Sequence, residues 1–162
     1  MTHEKPWVCY LLVSDSTDQT YVGASNDAVK RLRTHNRGAG AKRTKGQTWS
    51  HVLIVNGFDS KHACLSFEAG WKRLGRNRSK KRFGHLESRS LIELTYTNHS
   101  VWNRLLDLLY FVHQFNYIGT KFVVRKDLVG QSKPDELTID YMYDLDCVDD
   151  MPWPDFISVQ NP

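Results

Sequence analysis

Residues 21–36, YVGASNDAVKRLRTHN, change character halfway along. Tyr21 to Ala24 are strand-compatible, with Gly23 among them. From Ala28 onward, Ala28, Arg31, Leu32 and His35 recur at i, i+3, i+4 and i+7, the spacing of neighbours on one helical face. Ser25 or Asn26 is a suitable cap, so the pattern predicts a helix over 27–36. Ala28 and Leu32 should face a core. Arg31 and His35 then sit at the edge of that buried face rather than in open solvent. A strand, a turn and a short helix whose inner edge is polar is the unit on which the rest of the reading turns.

Working outward, WVCYLLVS (7–14) is apolar and rich in strand formers, and DSTDQ (15–19) has turn chemistry. With TYVGA (20–24) it makes a hairpin with a five-residue loop. RGAGAKRTKGQT (37–48) is a Gly-rich basic loop. WSHVLIVNG (49–57) carries an apolar run long enough for a central strand. Asp59 or Ser60 caps a helix over 60–74 whose stripe is Cys64, Phe67, Trp71 and Leu74. The order β-β-α-β-α predicts an α/β (α+β) fold, a small mixed three-stranded sheet with flanking helices. Helices near 87–97 and 101–115 follow, the second with Trp102, Leu105, Leu106, Leu109 and Val112 at helical spacing. TKFVV (120–124) and LTIDYMY (137–143) read as short strands. From Asp144 onward, prolines and acidic residues predict irregular chain. The expected domains are a core at 6–75, a basic connector and helical extension at 76–133, and an acidic tail at 134–162.

Composition bounds the function. The chain has 162 residues, 40% of them apolar and 12% aromatic, which suits one packed core rather than a disordered chain. Its apolar runs are too short to cross a bilayer, and MTHEKPW has no signal-peptide core. Cys9, Cys64 and Cys147 are scattered singly, which disfavours a disulfide framework or a zinc module and makes a reducing, intracellular compartment the default. The net charge of +4 hides an asymmetry. Residues 1–133 hold 22 Lys and Arg against 10 Asp and Glu, a net of +12, and residues 134–162 hold 8 acidic residues and no basic ones, a net of −8. So basic a body points to a polyanionic partner, nucleic acid first, with ordinary solubilising charge as the plainer alternative.

Several polar side chains stand where apolar ones would serve the core better. Glu68 follows Phe67 and borders the Cys64–Trp71 stripe, where a carboxylate is costly unless paired or bound to a metal. In the hairpin, Tyr10 shares a face with Val8 and Leu12, and Tyr21 with Gly23, whose missing side chain would let a ligand backbone approach. Taken singly, a strand tyrosine is a core or rim aromatic, an Arg-x-x-x-His pair is a solvated face, and a helix glutamate is an ion-pair partner. If Tyr10, Tyr21, Arg31, His35 and Glu68 converge, they supply a metal-capable carboxylate, a fixed cation and proton-transfer groups. Phosphodiester hydrolysis uses that set.

The ordered pattern resembles the GIY-YIG nuclease superfamily. Its first motif appears as Val8-Cys9-Tyr10 and its second as Tyr21-Val22-Gly23, with eleven residues from tyrosine to tyrosine. Arg31 to His35 is similar to the R-x-x-x-H helix motif, and FEAGW (67–71) to the helix bearing the metal-binding glutamate. HNRGAGAKRT, WSHVLIVNGF and SFEAGWK are closer still to the eukaryotic branch that cuts branched DNA with a scaffold partner. The resemblance spans roughly residues 6–128. It departs from the family in reading VCY for GIY, and from that branch in lacking a cysteine-rich RING-type zinc domain, with the acidic tail in that place.

The resemblance implies a metal-dependent, structure-selective DNA endonuclease leaving 5′-phosphate and 3′-hydroxyl ends. Glu68 would hold one Mg²⁺ or Mn²⁺, and Arg31 would stabilise the charge of the phosphorane-like transition state. Tyr10 would act as general base, with Tyr21 and His35 positioning water or relaying protons. Lys42, Arg43 and Lys45 in the Gly-rich loop, and Lys72, Arg73, Arg76, Arg78, Lys80, Lys81 and Arg82, would track DNA backbones. The partner is branched or distorted DNA; self-association and a scaffold protein both stay open, and no membrane is involved. The implied location is the nucleus or another site of DNA replication, cytoplasmic for a virus-encoded protein. The alternatives are a sequence-specific homing or restriction-type nuclease and a non-catalytic DNA-binding module of the same fold. The acidic tail is a candidate lid over the basic groove, a partner-binding strip or a solvated end.

Overall fold

The computed structural model describes residues 5–76, 100–118, 133–142, 148 and 151–160. The opening hairpin forms from β1 (Val8–Ser14) and β2 (Thr20–Ser25), paired antiparallel with Tyr10 opposite Gly23 and Leu12 opposite Tyr21. Helix α1 (Ala28–Asn36) follows. Its cap is Asp27, not Ser25 or Asn26: the Asp27 carboxylate accepts from the Lys30 amide at 3.1 Å, while Ser25 Oγ accepts from the Asp27 amide at 3.0 Å. The chain thus takes one more turn residue before the helix, and Ser25 fixes that turn.

β3 (Trp49–Asn56) pairs antiparallel with β1 on its other side. Helix α2 (Lys61–Arg76) follows, begun by Ser60, whose hydroxyl accepts from the Ala63 amide at 3.1 Å. Among the described residues the third helix is α3 (Ser100–Gln114). The fold is mixed α/β, with a sheet wider than the three strands expected. β4 (Leu137–Tyr141) pairs antiparallel with β3, and β5 (Ile157–Gln160) pairs parallel with β4, giving the order β2-β1-β3-β4-β5.

β4 is the strand expected over 137–143, whereas β5 corrects the expectation of irregular chain from Asp144 onward. Leu137, Ile139 and Tyr141 alternate into the core, as a half-buried strand requires. The intervening Asp140 turns outward to accept from the Asn56 amide at 2.6 Å. Val148, Met151, Phe156 and Ile157 are buried, and the described part of 134–162 builds the far edge of the sheet. The basic run 77–82, the expected helix near 87–97 and the expected strand 120–124 lie outside the described residues.

The two sheet faces do different work. Cys9, Leu11, Val22, Leu53 and Val55 pack with Cys64, Phe67, Trp71 and Leu74 of α2 and with Leu105, Leu109 and Phe111 of α3. Gly70 sets how closely α2 and α3 meet: a Cβ there would overlap the Phe111 ring, 2.6 Å from Cε2. On the other face Tyr10, Leu12, Trp49 and Ala28 form a smaller cluster beneath α1. A register shift between Leu11 and Leu12 separates the two. It pairs Leu11 with Leu53 but Leu12 with His51, so Val52 is the extra residue of a β-bulge and β3 changes its inward face there. His51 and Trp49 thereby join the Tyr10 side, while Leu53 and Val55 join the main core. Among the described residues no helix is long and apolar enough to cross a membrane.

Candidate active site

The phenol of Tyr10 lies at the centre of the smaller cluster, with its residue 1% exposed. β1 supplies it, and Gly23 on β2 makes room for it: a Cβ on Gly23 would overlap the Tyr10 hydroxyl and sit 2.5 Å from Cζ. The space above Gly23 that the sequence suggested for a ligand is therefore filled by Tyr10. Tyr10 Oη lies 3.1 Å from His35 Nε2. His35 is fully buried, further in than the helix-edge position expected, because its second nitrogen has a partner inside. Nδ1 lies 2.8 Å from Thr44 Oγ, and the Thr44 hydroxyl donates to the Ala41 carbonyl at 2.8 Å.

That chain of contacts assigns the imidazole tautomer. Thr44 spends its proton on Ala41, so it accepts from His35 Nδ1–H. Nε2 is then the unprotonated nitrogen, and the Tyr10 hydroxyl donates to it. Gly40 guards the arrangement, since a Cβ there would lie 2.5 Å from Nδ1. The electrostatics agree. Burial, then the charges of Arg31, His51 and Lys72, pull the His35 pKa down to about 4, so the ring is neutral at pH 7. Burial, reinforced by Tyr21, pushes the Tyr10 phenol up; a hydrogen bond from Arg31 and its charge oppose that.

Tyr21 stands on edge strand β2, its ring centroid 5.1 Å from that of His35. Glu68 arrives from α2, which packs on the opposite sheet face, and Lys72 links it to the rest. Lys72 Nζ is 2.7 Å from Glu68 Oε1 and 4.9 Å above the Tyr21 ring. The Glu68 side chain is 17% exposed, enough to meet a ligand. Arg31 is half-buried on α1 and acts on both Tyr10 and His35. The five residues singled out from the sequence thus meet around the β2 edge, where α1 and α2 come together from opposite faces.

Lys72 was expected at a DNA backbone; here it neighbours Glu68 and Tyr21 directly. Lys42, Arg43 and Lys45 are exposed on a loop whose 3-10 turn, Lys42–Thr44, is pinned by Thr44 beneath. The Trp49 indole donates to the Thr44 carbonyl at 2.9 Å, and Asn36 brackets the Trp49 backbone at 2.6 and 3.1 Å. The loop that carries the cations is therefore fastened to the histidine of the site. Arg73 is exposed on α2, and Arg76 ends that helix. Arg78, Lys80, Lys81 and Arg82 lie outside the described residues.

Two polar residues went unrecognised in the sequence. Thr44 looked like one more polar residue of a Gly-rich loop. His51 looked like a strand residue of no consequence, yet its ring meets Tyr10 edge-on at 5.9 Å, and its buried Nε2 has no hydrogen-bond partner among the described residues. A histidine within an apolar strand is the available signal for the second.

Among the described residues no three His, Cys, Asp or Glu side chains gather at one point. Among the described residues Glu68 is the site carboxylate that could hold a metal, without a second one clustered beside it. That suits a divalent cation which keeps most of its waters and shares the substrate phosphate, as Mg²⁺ does, rather than zinc in a closed cage.

Comparison with known proteins agrees with this geometry. The GIY-YIG catalytic domain model matches residues 6–82. An uncharacterised protein of Acanthamoeba polyphaga mimivirus, L300, is 44% identical over 157 residues, 94% of each chain. The structure-specific endonuclease subunit slx1 of Schizosaccharomyces pombe is 41% identical over 81 residues, 46% of this chain and 30% of that protein. The corresponding subunit of Vanderwaltozyma polyspora is 44% identical over 73 residues, 41% of this chain and 23% of that protein. The chain spans less than a third of these two subunits. A GIY-YIG catalytic domain is that of an endonuclease, a hydrolase of phosphodiester bonds, and this chain belongs to the GIY-YIG family.

Proposed function

We propose that this protein is a divalent-metal-dependent endonuclease that selects branched DNA, flaps and junctions, over linear duplex. The observation that carries the chemistry is the meeting of Tyr10, Tyr21, Arg31, His35 and Glu68 at one sheet edge. The choice of branched DNA rests on the similarity to structure-specific endonuclease subunits.

In hydrolysis a water oxygen attacks phosphorus and the bond to the 3′ oxygen breaks. The water's hydroxyl ends on the 5′-phosphate, and a proton ends on the 3′-hydroxyl. Tyr10 accepts the water's proton as it passes its own to His35 Nε2, 3.1 Å away. Thr44 holds the imidazole so that this nitrogen is free to receive it. Tyr21 borders the same space and orients the water. Arg31 forks onto the non-bridging oxygens as charge builds up there. One Mg²⁺ or Mn²⁺ at Glu68 would neutralise phosphate charge. The ion pair with Lys72 holds the Glu68 carboxylate beside Tyr21.

Lys42, Arg43, Lys45, Arg73 and the basic run to Arg82 supply the backbone contacts. The protein acts where DNA is replicated, in the nucleus or at a viral replication site, alone, as a self-associated pair or with a scaffold subunit. A cleavage panel tests the reading: linear duplex, flap and four-way junction with Mg²⁺, and with Glu68→Gln as control. Mg²⁺-dependent incision of flaps or junctions ahead of linear duplex is expected. Incision confined to one linear sequence would favour a homing or restriction-type enzyme, and binding without incision a non-catalytic module.

A further inference from the structure

We propose that the outer face of α1 is a second phosphodiester-backbone site, which holds a duplex arm other than the one being cut; this rests on the branched-DNA reading above. The helix turns by about 100° per residue. That sets Lys30, Arg33 and Arg37 on the side away from Ala28, Leu32 and His35, so one short helix is catalytic on its inner face and cationic on its outer face. The outer face is concave: a cleft of about 690 Å³ is lined by Asp27, Val29, Lys30, Arg33, Asn36 and Arg37. Lys30, Arg33 and Arg37 are all exposed.

The one carboxylate of the cleft is already committed. Asp27 pairs with Lys5 at 2.8 Å and caps the helix through the Lys30 amide. Lys30 also acts on the Asp27 charge, which leaves Arg33 and Arg37 facing the cleft without a carboxylate of its lining to offset them. The floor is rigid, because the Asn36 side chain is tied to the Trp49 backbone through both its oxygen and its nitrogen. Anions of fixed spacing suit such a wall, and a nucleic-acid backbone has them.

Shape argues against the same duplex serving both faces. A helix lying in a major groove presents a convex outer surface to the bases, whereas this surface is hollow and receives a convex backbone. With Arg31 toward the cut strand and Arg33 and Arg37 toward another arm, α1 becomes the wedge between two arms at a branch.

The test uses Glu68→Gln protein, which should bind without cutting, and the same protein carrying Lys30→Ala, Arg33→Ala and Arg37→Ala. Anisotropy is measured over a KCl series on a flap or four-way substrate and on linear duplex of equal length. Each lost phosphate contact should lower the slope of log K against log salt by about 0.9. The triple variant should therefore lose about 2–3 units of slope on branched DNA, and on the order of tenfold in affinity, with linear duplex unchanged. Arg33→Lys with Arg37→Lys should retain most of the slope, which separates charge from a folding defect. An unchanged slope on branched DNA overturns the inference, and so does an equal loss on linear duplex. If instead the parent protein shows no preference for branched DNA, it is the proposed function that fails, and the parent's own titrations reveal this before the variant is read.

Discussion

Replacing Gly23 by alanine adds one methyl group at the most crowded point of the site. The new Cβ would overlap the Tyr10 hydroxyl and stand 2.5 Å from Cζ and 2.7 Å from Cε2. Tyr10 has nowhere to go. It is 1% exposed, its ring is flanked edge-on by His35 and His51 at centroid distances of 6.1 and 5.9 Å, and Leu12, Ala28 and Trp49 complete its cluster. Strand β2 cannot simply back away, because Gly23 is the register partner of Tyr10 in the hairpin ladder. Overpacking of this kind costs about 1–3 kcal/mol. For a chain of this size that is a fall of roughly 5 °C in melting temperature, at about 2–4 °C per kcal/mol.

The catalytic loss should exceed the loss of stability. Displacing the phenol breaks its contact with His35 Nε2, and losing general acid–base help lowers rates by about 10²–10⁴-fold. Gly23→Ala, Tyr10→Phe and the double variant are compared by single-turnover cleavage and thermal melting. If Gly23→Ala acts by moving the Tyr10 hydroxyl, the double variant should cut no more slowly than the worse single, because the same interaction cannot be lost twice. Gly23→Ala cutting within a few-fold of wild type would refute the reasoning, as would rate losses that multiply.

Glu68→Gln keeps the shape and removes the charge; it should abolish Mg²⁺-dependent incision and leave DNA binding intact, and retained incision in a cleavage assay would sink the metal role. Arg31→Ala should lose roughly 3 kcal/mol or more of transition-state stabilisation, about 10²-fold or more in single-turnover rate; a rate within a few-fold of wild type contradicts it. Stability should fall on mild acidification. The folded-state pKa of His35 is held to about 4 and that of His51 is also lowered by burial, below the unfolded value of about 6.5. The unfolded chain then binds more protons in that window, so their contribution is complete above about pH 6.5 and is lost as pH falls toward 4. Denaturant midpoints at pH 7, 5.5 and 4.5 measure it, and a midpoint that does not drop, or a His35 imidazole seen protonated by NMR at pH 5.5, would contradict the assignment.

The parts of this molecule legible in its sequence are those fixed by short-range periodicity. Alternation and turn chemistry located β1 and β2 to within a residue, and spacing at i, i+3 and i+4 located α1 and the Cys64–Phe67–Trp71–Leu74 stripe of α2. What escaped was set by pairing between distant segments. β5 is four residues long and follows a proline-rich acidic stretch; it becomes a strand because Leu137 and Ile157 meet across a parallel ladder and bury each other, which no local pattern announces. The bulge at Val52 is equally silent, since VLIV reads as one continuous apolar run whichever way each side chain points.

That bulge matters more to the site than its size suggests. Without the shift, Leu12 would face Val52, and the alternation of β3 would turn His51 and Trp49 toward the main core. Trp49 is the residue that fastens Thr44, and Thr44 fixes the tautomer of His35. A register irregularity in the central strand thus supports the contact between Tyr10 and His35, two strands from the sheet edge that Glu68 borders. The five residues that suggested a phosphodiesterase gather on this arrangement. Gly23, Gly40, Thr44, Asn36 and Trp49 keep them in register, and a change at any of these should be felt at Tyr10 and His35 first.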